Sequence, residues 1–144
     1  MSLAVDHLEE GQTRTHSARF DLPEVQLFAD LSGDRNSLHL HGPTGRHSRF
    51  GENIVHGALT SSLISAALAK FGTRDSIVVY LDQHLDFLKP VSFGEMLTGV
   101  AEIVVDLGGG NYSCDVRVVT AEGDRVIEGT ATILLDPLAE RKKL

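Results

Sequence analysis

The sequence predicts an α+β protein in which an antiparallel sheet wraps around one long central helix, within a single domain spanning residues 1–144. Three observations predict it. First, Val55, Leu59, Leu63 and Ala67 fall on one helical stripe, with Ile64 and Leu68 beside it. The remaining faces of Val55–Lys70 carry Gly57, Ala58, Ser61, Ser62, Ser65, Ala66 and Ala69, small residues that suit a helix packed closely on several sides. Second, from Ser76 onward the apolar period changes from helical spacing to two. Third, no repeat, low-complexity segment or linker divides the chain.

Taken in order, Gln12 to Phe20 alternates weakly and reads as an edge strand. Asp21, Pro23 and Glu24 are a helix start: a capping acid, a proline in the first turn and an acid beside it. The helix is expected from Pro23 to about Leu31, with Val25, Phe28, Ala29 and Leu31 inward, and Gly33 suits its left-handed end. Gly33 to Asn53 is polar, Gly-rich and reads as a long loop, a kind of segment that is usually functional. The central helix follows and stops near Gly72. Ile77 to Phe87 is a strand closed by Lys89-Pro90. Leu97, Gly99, Ala101, Ile103 and Val105 share one face of the next strand. Gly108-Gly109-Gly110 turns into a strand with Tyr112, Cys114, Val116 and Val118 inward. Glu122-Gly123-Asp124 turns again, into Ile127, Gly129, Ala131, Ile133 and Leu135. The second half is an antiparallel meander with one buried face.

Composition narrows the function. The 144 residues hold 42% hydrophobic and 23% charged side chains, ordinary for a globular domain with its own core. The net charge of −7 argues against nucleic acid as a partner. No apolar run reaches membrane-spanning length. The acid-bearing stretch Met1–Gln12 does not read as a signal peptide. The lone cysteine, Cys114, excludes an internal disulfide and fits a reducing, cytoplasmic compartment; its place in a strand pattern marks it as a core residue. The tail Glu140–Leu144 reads as solvated.

The candidate chemistry lies between Phe28 and Leu68. Asp34 and His39 stand five apart in a polar loop, where two groups of different pKa can hold a water and pass protons both ways. His56-Gly57 opens the central helix, whose first N–H groups favour developing negative charge. That is the requirement for polarising a carbonyl. The bland readings are a turn aspartate, a solvent-exposed histidine and a glycine kept for packing. His39, His41, His47 and His56 together suggest a metal only weakly, because no cysteine joins them and two sit in a polar loop.

The run Ser32-Gly33-Asp34-Arg35-Asn36-Ser37-Leu38-His39, then Phe50-Gly51, Ile54-Val55-His56-Gly57 and Leu59, resembles the hydratase motif of MaoC-like dehydratases, and above all that of (R)-specific enoyl-CoA hydratases. Tyr80–Gln83, Phe87–Val91 and Gly94-Glu95 resemble the strand and turn that follow in that family. The likeness runs from about Val25 to Leu135. It implies the hot-dog fold and a homodimer or higher homo-oligomer. By position it implies Asp34 and His39 as the catalytic pair and Gly57 as the oxyanion donor. Asn36, His56 and Ser62 become substrate-side residues. It implies reversible addition of water to a trans-2-enoyl thioester within fatty acid metabolism. No metal or redox cofactor is implied, and coenzyme A or acyl carrier protein belongs to the substrate. Two departures fall at Ser37, where the family usually has proline, and at His41-Gly42, where it usually has an acid and a proline. The competing readings are a hot-dog thioesterase, which usually carries a carboxylate on the central helix where this chain has none, and a non-catalytic acyl-binding module.

Overall fold

The computed structural model describes residues 6–40 and 42–139. His41, the first five residues and the charged tail from Glu140 lie outside the described residues. The elements are β1 (Thr13–Arg19), α1 (Leu22–Ser32), α2 (Pro43–His47), α3 (Gly57–Ala69), β2 (Ser76–Phe87), β3 (Met96–Gly108), β4 (Asn111–Thr120) and β5 (Arg125–Pro137). The strands form one five-stranded antiparallel sheet in the order β1-β3-β4-β5-β2, with α3 packed against β1, β2, β3 and β4. A sheet curled around one helix is the hot-dog fold expected above, but α3 is not enclosed on every side as its small residues suggested: Ala58, Ser62, Ser65 and Ala69 are exposed. Among the described residues no helix is long and apolar enough to cross a membrane.

The helix α3 buries Leu63, Ile64, Ala67 and Leu68, together with Thr60. Burial of that apolar stripe holds the helix in the sheet, since a short helix is marginal on its own in water. The approach to β3 is very close: a Cβ added to Gly99 would lie 2.4 Å from the Leu63 carbonyl oxygen. Any side chain at Gly99 therefore pushes the helix off the sheet. The meander alternates as expected, with Tyr112, Cys114, Val116, Val118, Ile127, Ala131, Ile133 and Leu135 all buried.

Three expectations need correction. Leu31 is 84% exposed, not inward. It lies six residues, or about 240° of helical turn, from Val25, and so falls outside the stripe formed by Val25 and Ala29. Val105 is exposed because the β3 register shifts between Ile103 and Val105, turning the strand end out of the core face. The long loop also contains α2, a helix of five residues that begins at Pro43.

At the other end of α1 the expectation holds. The Glu24 carboxylate accepts the Asp21 N–H at 3.0 Å, and Gly33 caps the helix with φ 82°. That cap aims the chain into the loop that carries Asp34.

Candidate active site

The loop after α1 is a chain of side-chain turns. Ser32 Oγ accepts the Asp34 N–H at 3.1 Å. The Asp34 carboxylate accepts the Asn36 N–H at 3.2 Å. Asn36 Oδ1 accepts the Leu38 N–H at 3.1 Å, and the His39 N–H returns to the Asn36 carbonyl at 3.0 Å. Such Asx turns make a polar sequence rigid without a helix or a strand. Asn53 closes the loop: its Nδ2 donates to the carbonyls of Ser37, Leu38 and Leu40. Next in the chain, Ile54 N–H bonds the Leu38 carbonyl at 3.2 Å and Val55 N–H bonds the Val91 carbonyl at 2.9 Å. The loop, the approach to α3 and the turn before β3 are thus one hydrogen-bonded unit.

His39 is 8% exposed, and its Nδ1 stands 2.8 Å from the Ile54 carbonyl oxygen. A carbonyl only accepts, so Nδ1 carries the proton and Nε2 keeps its lone pair. Burial pushes the imidazole below the ordinary histidine value of 6.5, and neighbouring His56 adds to that; the Ile54 hydrogen bond and Asp34 oppose it. His39 is therefore a neutral imidazole with an accepting Nε2.

His56 is fully buried. Its Nε2–H donates to the backbone carbonyl of Asp34 at 3.0 Å. Its ring lies against His39, with centroids 4.1 Å apart and planes tilted by 32°, and edge-on to Phe28 at 4.8 Å. His56 Nδ1 is buried without a hydrogen-bond partner among the described residues.

One donor atom each from Asp34, His39 and His56 lies within 4.8 Å of the others. Two of the ring nitrogens are already engaged, His39 Nδ1 at the Ile54 carbonyl and His56 Nε2 at the Asp34 carbonyl.

His39 and Gly57 line one cavity of about 280 Å³ with Phe50, Phe87, Thr60 and Ile127 among its walls. Gly57 is the first residue of α3, so its N–H has no intrahelical acceptor. His56 at the cap position makes no side-chain cap hydrogen bond, and no acid stands in the first turn. The positive end of the helix is left open toward a ligand. A Cβ added at Gly57 would also lie 2.8 Å from Phe87 Cε1, so the Phe87 ring would have to shift to admit one.

The structure therefore brings Asp34 close to His39 and His56, and His39 into one cavity with Gly57; Asp34 is exposed and is not among the residues that line that cavity. It does not bring the other three expected residues to the cavity. The Asn36 side chain is turned back into its own loop. His56 is walled off behind His39 and holds the Asp34 backbone instead of facing a substrate. Ser62 Oγ donates to the Leu59 carbonyl, and Ser62 lines a different recess with Ser61, Ser65 and Tyr80–Gln83. Sequence reasoning missed Asn53, Phe50, Phe87 and Thr60. An asparagine directly before Ile54-Val55-His56-Gly57 was the one available signal for Asn53.

Comparison with known proteins identifies the family. The MaoC like domain family matches residues 6–124. A 3-hydroxybutyryl-CoA dehydratase of Methylorubrum extorquens is 33% identical over 96% of this chain and 92% of its own length. An (R)-specific enoyl-CoA hydratase of Aeromonas caviae is 39% identical over 70% of this chain and 75% of its own. The R-hydratase PhaJ1 of Pseudomonas aeruginosa superposes with a TM-score of 0.81 at 34% identity, covering 91% of this chain and 84% of that one. With the family matched along most of its length and relatives named for adding or removing water, the chain is a hydro-lyase of the MaoC-like dehydratase family.

Proposed function

We propose that the protein is an (R)-specific enoyl-CoA hydratase, adding water reversibly to a trans-2-enoyl thioester to give the (3R)-3-hydroxyacyl thioester. The observation that carries this reading is the free Nε2 of a neutral His39 in the same cavity as the uncapped start of α3. A water held between His39 Nε2 and the Asp34 carboxylate loses a proton to Nε2 as its oxygen bonds to the β-carbon. The thioester becomes an enolate, whose oxygen is stabilised by the Gly57 N–H and the helix end. The imidazolium then returns its proton to the α-carbon. One water is consumed, no electrons are transferred, and His39 ends as it began. Asp34 orients the water and stabilises the transient imidazolium. Coenzyme A, or acyl carrier protein, enters with the substrate, and none of these steps needs a resident cofactor.

The test is loss of enoyl absorbance on crotonyl-CoA, with the product resolved on a chiral column. Asp34→Asn and His39→Gln should each lose at least about 100-fold in kcat/KM. Full activity in either variant removes that residue from the reaction, and a (3S) product overturns the stereochemistry. Acyl-CoA hydrolysis detected as free thiol would instead favour a thioesterase, a reading weakened by the absence of any carboxylate from α3. Tight binding with no turnover of any enoyl chain would favour a binding module.

We place the enzyme in the cytoplasm as a homodimer, in fatty acid metabolism. β2 is an edge strand and exposes Ile77, Leu81 and Phe87, an apolar edge that a second copy would cover. A native mass equal to one chain would sink the dimer, and recovery in a membrane or exported fraction would sink the location.

A further inference from the structure

Two buried polar atoms at the start of α3 take no part in the bonding described so far. They are His56 Nδ1 and Thr60 Oγ1, each without a hydrogen-bond partner among the described residues. Both residues are buried, His56 completely and Thr60 all but 1%. A polar atom buried unpaired is costly, and most such atoms in folded proteins find a partner. These two are neighbours by helix geometry. His56 stands at the cap position, and the Thr60 N–H donates to its carbonyl at 3.0 Å. Side chains on a helix lean toward its start, so Thr60 lies over the turn that His56 opens.

Their chemistry is complementary. The Asp34 carbonyl only accepts, so His56 Nε2 carries a proton and, in the neutral ring, Nδ1 is an acceptor. The Thr60 hydroxyl has a proton to give. Threonine in a helix divides between two rotamers, one of which turns its oxygen back toward the preceding turn. We propose that Thr60 is a positioning residue: rotation about its Cα–Cβ bond brings its O–H to His56 Nδ1. The relay then runs from Thr60 O–H to Nδ1, and from Nε2–H to the Asp34 carbonyl. It holds the His56 tautomer and, through it, the backbone that carries the Asp34 carboxylate. Thr60 also lines the cavity, but its effect on rate passes through His56. The pairing rests on the bonding of α3 alone; the effect on rate rests on the hydratase reading.

Valine is close to threonine in shape and helix propensity, so Thr60→Val removes the hydroxyl and little else. The sign of its effect on stability separates two cases. An orphaned hydroxyl is better replaced by a methyl, and the melting temperature rises. A hydroxyl that serves Nδ1 leaves that nitrogen orphaned when it goes, and the melting temperature falls by roughly 3 °C or more. The second result is expected, with Thr60→Ser restoring the wild-type value. Nitrogen-15 spectra of the imidazoles read the bond directly. The His56 Nδ1 resonance, identified by its loss in His56→Gln, should be that of a hydrogen-bonded acceptor in wild type and of a free acceptor in Thr60→Val. With crotonyl-CoA, Thr60→Val should lower kcat about three- to ten-fold and leave KM within about two-fold. In a His56→Ala background the same substitution should change kcat less than about two-fold. A raised melting temperature, a free Nδ1 in wild type, or an undiminished effect in the His56→Ala background overturns the proposal. Should Thr60→Val fail to fold, the wild-type spectrum decides alone. A bonded Nδ1 in a protein that hydrates no enoyl chain would keep the pairing and sink the hydratase reading; hydration by a protein whose Nδ1 is free would do the reverse.

Discussion

The Nδ1–H of His39 donates to the carbonyl of Ile54, 2.8 Å away and fifteen residues on, two residues before His56, which stands at the cap position of α3 without capping it. This single bond fixes the imidazole tautomer and ties it to the entry of the helix whose N–H groups complete the site. The acid limb of kcat/KM is accordingly expected below pH 6.5, because burial holds the His39 pKa under its ordinary value. A limb at or above that pH would show that some other base operates.

The same shift has a sign in stability. Between the folded and unfolded pKa of His39 the unfolded chain binds more protons. Stability from this group is therefore complete above about pH 6.5, and it is lost as pH falls through the lower folded value. Urea unfolding across that window should show stability rising with pH, less steeply in His39→Asn. An unchanged slope in the variant would mean that His39 does not sense folding.

His56 is expected to act on the rate without touching the substrate. Its ring fills the space between His39 and Phe28, and its Nε2–H holds the Asp34 carbonyl. His56→Ala should destabilise the fold by about 2–4 kcal/mol through the cavity left behind and the orphaned carbonyl. It should also lower kcat more than it raises KM. A pure KM effect would return His56 to the substrate side.

Gly57 joins two demands, an open N–H and room for Phe87. They can be separated. Proline is tolerated at the first helical position and removes only the N–H. Gly57→Pro in a Phe87→Ala background should lose about 10²–10³ in kcat relative to Phe87→Ala alone. A loss under about ten-fold would show that this amide does not hold the oxyanion.

Cys114 is buried in β4, where burial raises its thiol pKa to about 11. Ellman's reagent at pH 8 should label none of it until urea is added. Rapid labelling of the native protein would mean that β4 opens.

Much of this was legible from one-dimensional pattern. The small-residue helix and the alternating meander follow from periodicity, which depends only on which residues are neighbours along one element. Asp34, His39 and Gly57 became candidates because the motif resemblance carries them. What escaped depends on contacts across the fold. Asn53 matters through three carbonyls thirteen to sixteen residues away. His56 was placed at the substrate because its sequence shows a histidine at a helix start and nothing of the Phe28 ring that walls it off. Leu31 looked inward as one more apolar residue, and only the angular position on α1 shows otherwise.

The missing cap on α3 has a thermal consequence. A helix that opens on unsatisfied donors is less stable empty than occupied, so a ligand oxygen bound there would supply from outside what a serine or aspartate would supply from within. On the hydratase reading proposed above, added acyl-CoA should therefore raise the unfolding temperature and slow proteolysis.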